Sequence, residues 1–94
     1  MIFVIDSTDR RRIGEAKLEL ISLASHFFLR DSVILVYANK QDSPQAMSVM
    51  EVTAELGMAT NFKNRKWYVQ GCVATEGRGL YDGLEFLCDT LNNY

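Results

Sequence analysis

The chain has 94 residues, enough for one small domain or a piece of a larger one and too few for two. Apolar residues make up 48% and charged residues 23%, with six Gly and one Pro, which excludes disordered, collagen-like and low-complexity chains. A net charge of -2 leaves no basic footprint for nucleic acid or an anionic membrane, so no nucleic-acid partner is expected.

Three strand-like runs lie along the chain. Ile2-Phe3-Val4-Ile5 closes on Asp6-Ser7, Val33-Ile34-Leu35-Val36-Tyr37-Ala38 leads into Asn39, and Trp67-Tyr68-Val69-Gln70-Gly71-Cys72-Val73 follows later. The first two are continuously apolar, the habit of strands buried on both faces of a parallel sheet, so three buried strands are predicted. Helical patterns alternate with them. From Ile13 the apolar residues Ala16, Leu20, Leu23, Ala24, Phe27 and Phe28 recur at three- and four-residue steps, with Ser7, Thr8 or Asp9 placed to cap the start. Ser48-Val49-Met50-Glu51 has capping-box spacing just after Pro44, and Gly57 is placed to stop that helix. A last helix carries Leu80, Leu84, Leu87 and Leu91 on one stripe, joined by Tyr81 and Cys88. The predicted fold is therefore α/β, three-layered, with a parallel sheet in β-α-β-α-β-α order.

The remaining features constrain the setting. Cys72 and Cys88 form no C-x-x-C pair and have no clustered histidine beside them, so a disulfide framework or zinc site is not indicated, and both read as small buried residues in a reducing, cytoplasmic chain. No apolar run approaches the roughly 18 to 20 residues that span a bilayer, so no transmembrane segment is expected. The opening stretch is too short for a signal peptide, and Ile2 stands where N-myristoylation needs Gly. Gly77-Arg78-Gly79 lacks the third glycine spacing of a dinucleotide loop and reads as a tight turn. His26 reads as a helix-surface residue. Arg10-Arg11-Arg12 reads as a solvated face, with a partner or lipid headgroup as the alternative, and Trp67 and Tyr68 read as packing residues.

In an open parallel α/β sheet, ligands bind beyond the carboxyl ends of the strands, which here are the loops Asp6 to Asp9, Asn39 to Pro44 and Ala74 to Gly79. Asn39-Lys40-Gln41-Asp42 offers an amide, a cation on a long stem and a carboxylate that accepts two hydrogen bonds. That set suits guanine, whose N1-H and N2-H2 are adjacent donors for Asp42 while Asn39 meets the acceptor edge. Adenine would leave the carboxylate unpaired, at a cost of about 1 to 3 kcal/mol. The same four residues also suit a solvated turn before a Pro-started helix, and by themselves leave both readings open.

Asn39-Lys40-Gln41-Asp42 followed by Ser43-Pro44-Gln45-Ala46-Met47 resembles the guanine-recognition stretch of small GTPases of the ADP-ribosylation factor (Arf) and Arf-like family. Ile2 to Arg10, Leu29-Arg30-Asp31-Ser32, Trp67 to Gln70 and Gly77 to Leu84 resemble other stretches of that family, so the likeness spans nearly the whole chain. The resemblance implies that Asn39 and Asp42 bind the base and that the stem of Lys40 packs along the nucleotide. It puts Val73-Ala74-Thr75 at the second base-contacting loop, with the Ala74 N–H facing guanine O6. Val73 stands where Cys is frequent and Ser43 where Leu is usual; a backbone contact at Ala74 tolerates the first change.

A G-x-x-x-x-G-K-[ST] phosphate loop needs a Gly-Lys pair, and the sequence contains none; nor does it contain a D-x-x-G-Q-type switch stretch. The expectation is a single partial G domain over residues 1–94, the C-terminal half of a P-loop small-GTPase fold, that recognises GTP or GDP weakly and hydrolyses nothing alone. Mg2+ is expected only in the full-length domain. By resemblance the partners are exchange factors, activating proteins and effectors, and the setting is membrane traffic at the Golgi or another endomembrane. The alternative is a non-enzymatic interaction module that docks on or competes for those partners, with self-association through an exposed strand edge.

Overall fold

The computed structural model describes residues 1–26 and 31–92. Its order is β1 (Ile2–Asp6), α1 (Ile13–Ala24), β2 (Ile34–Asn39), α2 (Val49–Glu55), α3 (Met58–Asn61), β3 (Trp67–Gly71) and α4 (Leu80–Asn92), with a 3-10 turn at Ala74–Glu76 between β3 and α4. The strands form one parallel sheet in the order β1-β2-β3, with Asp6 level with Asn39 and Ala38 level with Gly71. The predicted α/β class and parallel sheet are present. The short helix α3 was not foreseen.

The two faces are divided by strand alternation. Ile34, Val36 and Ala38 of β2 point into a core shared with Ile5, Val69, Leu20 and Ala24 of α1, Val52 of α2, and Leu56, Met58 and Phe62. Leu35 and Tyr37 point the other way, into a smaller cluster with Cys72 and with Leu80, Phe86 and Leu87 of α4. The middle strand is thus buried on both faces, as its continuous apolar run requires. The outer strands are not. Ile2 and Val4 are 49% and 58% exposed because α4 packs over β2 and β3 and leaves their side of β1 uncovered, which corrects the prediction of three fully buried strands.

The first helix lacks its predicted cap, and the second keeps its own. The helix α1 begins at Ile13 with Arg12 as its N-cap and no side-chain cap, because the side chains of Asp6 and Thr8 are engaged with each other and Asp9 lies one turn upstream. Phe27, Phe28, Leu29 and Arg30 lie outside the described residues, so the later part of that apolar pattern does too. The capping box of α2 forms as expected: Ser48 Oγ accepts from Glu51 N–H at 3.1 Å and Glu51 Oε1 accepts from Ser48 N–H at 3.3 Å. Gly57 then ends the turn in a left-handed conformation (φ 63°) and at once opens α3.

The predicted stripe of α4 splits. Leu80 and Leu87 face the sheet together with Gly83 and Phe86, whereas Tyr81, Leu84, Cys88 and Leu91 are exposed, so Cys88 is not a core residue. Two contacts on β2 and β3 turn the helix this way. Phe86 stacks on Tyr68 with ring centroids 5.0 Å apart, and Gly83 lies so close to Tyr37 that an added Cβ would sit 2.6 Å from the Tyr37 hydroxyl.

Candidate functional site

The parallel register brings the carboxyl ends of the three strands level, and the loops that leave them are laced together. Ser7, immediately after β1, is fully buried; its N–H donates to Asn39 O at 3.2 Å and its carbonyl accepts from Met47 N–H at 2.7 Å. Gln41 Nε2 donates to Ser7 Oγ at 3.1 Å and to Met47 O at 2.9 Å, while Gln41 N–H donates to Cys72 O at 3.1 Å. Ser7 and Gln41 are therefore the struts that hold the edge. Sequence reasoning named Ser7 only as a candidate helix cap and Gln41 only as a member of the Asn39-to-Asp42 motif, and assigned neither of them this role, because their partners lie on other loops.

Asn39, half-buried at the end of β2, accepts a hydrogen bond through Oδ1 from the Ala74 N–H at 2.9 Å. The second and third loops are thus joined by two of the residues singled out from sequence. The same oxygen lies 3.6 Å from Cys72 Sγ, whose thiol is pushed up by burial and stays protonated at neutral pH. Because the Ala74 N–H already has an acceptor, a ligand oxygen at this place would share that donor with Asn39 or displace it. Val73 is buried, and its N–H donates to Arg78 O at 2.9 Å, closing the turn that Gly77 and Gly79 complete with left-handed φ values of 75° and 81°. Val73 thereby fixes where the Ala74 N–H points.

Lys40 has a left-handed backbone (φ 64°), which costs a non-glycine residue about 1 to 2 kcal/mol. It reverses the chain so that Lys40 Nζ donates to Asp6 Oδ2 at 2.9 Å. The other oxygen of Asp6 accepts from Thr8 Oγ1 at 2.6 Å and from Thr8 N–H at 2.9 Å. The Thr8 hydroxyl, then Lys40 and the Thr8 N–H, hold the Asp6 carboxyl down at about 2. Asp42 is exposed in the same turn, one residue beyond Gln41. Among the described residues no three His, Cys, Asp or Glu side chains come together as metal ligands would. The polar groups at this edge are hydrogen-bonding ones: the carboxylates of Asp6 and Asp42, the amides of Asn39 and Gln41, the hydroxyls of Ser7 and Thr8, the Lys40 ammonium and the Ala74 N–H.

Comparison with known families gives a match over nearly the whole chain. The ADP-ribosylation factor family model covers residues 1–91. The chain belongs to this family. The Arf family is one of small GTPases, which bind GTP and GDP and work with regulators and effectors. The three-stranded parallel sheet interleaved with helices is consistent with part of the small-GTPase fold that the family shares. Among the described residues no helix is long and apolar enough to cross a membrane.

Proposed function

We propose that this Arf-family chain is a partial G domain over residues 1–94 that recognises the guanine base of GTP or GDP without holding the phosphates firmly. The observation that carries the reading is the junction of Asn39 with Ala74, at 2.9 Å, beside an exposed Asp42 at the carboxyl edge of a parallel sheet. In this reading Asp42 accepts the two adjacent donors of guanine and Asn39 meets its acceptor edge. The Ala74 N–H faces O6 on the wall set by Val73, and the stem of Lys40 lies along the nucleotide. The sequence contains no Gly-Lys phosphate loop, so the charge-assisted contacts that dominate nucleotide affinity have no counterpart here, and GTP hydrolysis by the chain alone is negligible. Mg2+ belongs with the phosphate-binding half. A role in vesicle traffic at the Golgi or another endomembrane, with exchange factors, activating proteins and effectors as partners, follows the family.

The test is titration of the 94-residue protein with fluorescent GDP and fluorescent ADP. Weak binding of GDP with weaker binding of ADP is expected, and Asp42→Ala should erase the difference. Equal affinity for the two bases overturns guanine recognition, and submicromolar affinity for GTP overturns the claim that phosphate contacts are lacking.

A second reading, an interaction module that docks on or competes for partners of the full-length GTPase, is favoured by one observation. Among the described residues no strand lies beside the outer edge of β1, and Ile2 and Val4 are about half exposed there.

A further inference from the structure

The ion pair between Asp6 and Lys40 joins the ends of two different strands, and both side chains are about half exposed, at 40% and 54%. Exposed pairs of this kind contribute little to stability, so the consequence of this one lies in orientation. Three features make the orientation definite. The carboxylate cannot swing, because one oxygen is fixed by both the hydroxyl and the N–H of Thr8, which leaves the other aimed at Lys40. The lysine backbone is held in a left-handed turn, which sends its side chain back across the ends of β1 and β2. The two strand ends are in register, Asp6 opposite Asn39, so the bridge spans a fixed gap.

We propose that Asp6 is a positioning residue for the base site, holding the Lys40 side chain extended across the strand ends before any ligand arrives. This rests on the guanine-nucleotide reading of the same edge. A free lysine has many rotamers, and ordering them on binding weakens affinity; a lysine ordered during folding has already lost that freedom. Asp6 need not touch the nucleotide to act. Thr8 sets the carboxylate, the carboxylate sets the ammonium, and the ammonium sets the four-carbon stem.

Two measurements test this on the whole chain. In the ligand-free protein, 13C relaxation of the Lys40 side-chain methylenes should report much greater order than those of exposed Lys63, and Asp6→Asn should bring Lys40 down to the Lys63 level. Asparagine keeps an acceptor for Thr8 and removes only the charge. A wild-type Lys40 as mobile as Lys63 overturns the proposal without need of any variant. In a titration with fluorescent GDP, Asp6→Asn should weaken binding by roughly three- to tenfold, the range expected for ordering one long side chain. In a Lys40→Met background the same substitution should have almost no effect, because its path runs through Lys40. Wild-type binding that Asp6→Asn leaves unchanged, or a loss that persists in full with Met at position 40, overturns the positioning role. Wild-type protein that prefers ADP or binds neither nucleotide overturns the guanine reading itself, and the role built on it falls for that separate reason.

Discussion

Asp6 couples the site to acid as well as to Lys40. Its folded-state value of about 2 lies below the ordinary 3.8, so its ionised form is favoured by folding. The stability it contributes is present above the unfolded value and lost as pH falls through the folded one. Urea unfolding of the wild type should therefore show stability declining from about pH 4 toward 2, and Asp6→Asn should flatten part of that decline. Equal slopes for the two proteins would mean that Thr8 and Lys40 do not favour the carboxylate. Glu51 contributes in the same direction, since Arg10 first and the Ser48 N–H second hold its carboxyl below the usual range. The two members of the arginine run with such partners, Arg10 with Glu51 and Arg12 with Asp9, show how a basic cluster at a helix start is offset by neighbouring acids.

At the scale of elements, the seating of α4 decides which apolar residues are core. Gly83 allows the helix to lie against the Tyr37 ring, and the Tyr37 hydroxyl in turn donates to Leu80 O at 2.6 Å. Alanine at Gly83 would gain about 1 kcal/mol of helix propensity. It would also place a methyl group 2.6 to 2.8 Å from three Tyr37 atoms, and overpacking of that kind costs about 1 to 3 kcal/mol, with the Tyr37 bond to Leu80 at risk besides. Gly83→Ala is expected to destabilise the protein by about 1 to 2 kcal/mol in urea. A more stable variant would show that Tyr37 gives way freely. The leucine spacing of α4 was legible in the sequence, yet Leu80, Leu84, Leu87 and Leu91 cover more of the helix than the sheet can bury. Which flank turned inward depended on Tyr68 and Tyr37, residues on other elements.

For the whole molecule, the open edge of β1 is the feature with the largest consequence for behaviour in solution. Its exposed Ile2 and Val4 lie on the same side of the sheet as Leu35 and Tyr37, the face that α4 covers only in part. No lysine or proline within Ile2–Asp6 guards the edge against pairing. Light scattering at increasing concentration should show self-association that Val4→Lys suppresses. A monodisperse monomer across the range would count against the interaction-module reading and leave nucleotide recognition untouched.

The sequence by itself determined the order of elements apart from α3, the parallel sheet, the capping box at Ser48 and the family likeness, because these rest on local patterns: continuous apolar runs, a fixed four-residue spacing and a contiguous motif. It also pointed to Asn39, Lys40, Asp42, Val73 and Ala74 as candidates. Only the tertiary structure decided that β1 is half uncovered, that Cys88 and Leu84 face outward, and that Ala74 donates to Asn39. It alone brought Asp6 to Lys40 and Gln41 to Ser7, residues 34 positions apart in each case. The physical reason is that one-dimensional periodicity fixes which residues share a face of their own element, whereas cover and partnership depend on what the neighbouring strand ends and helices bring alongside.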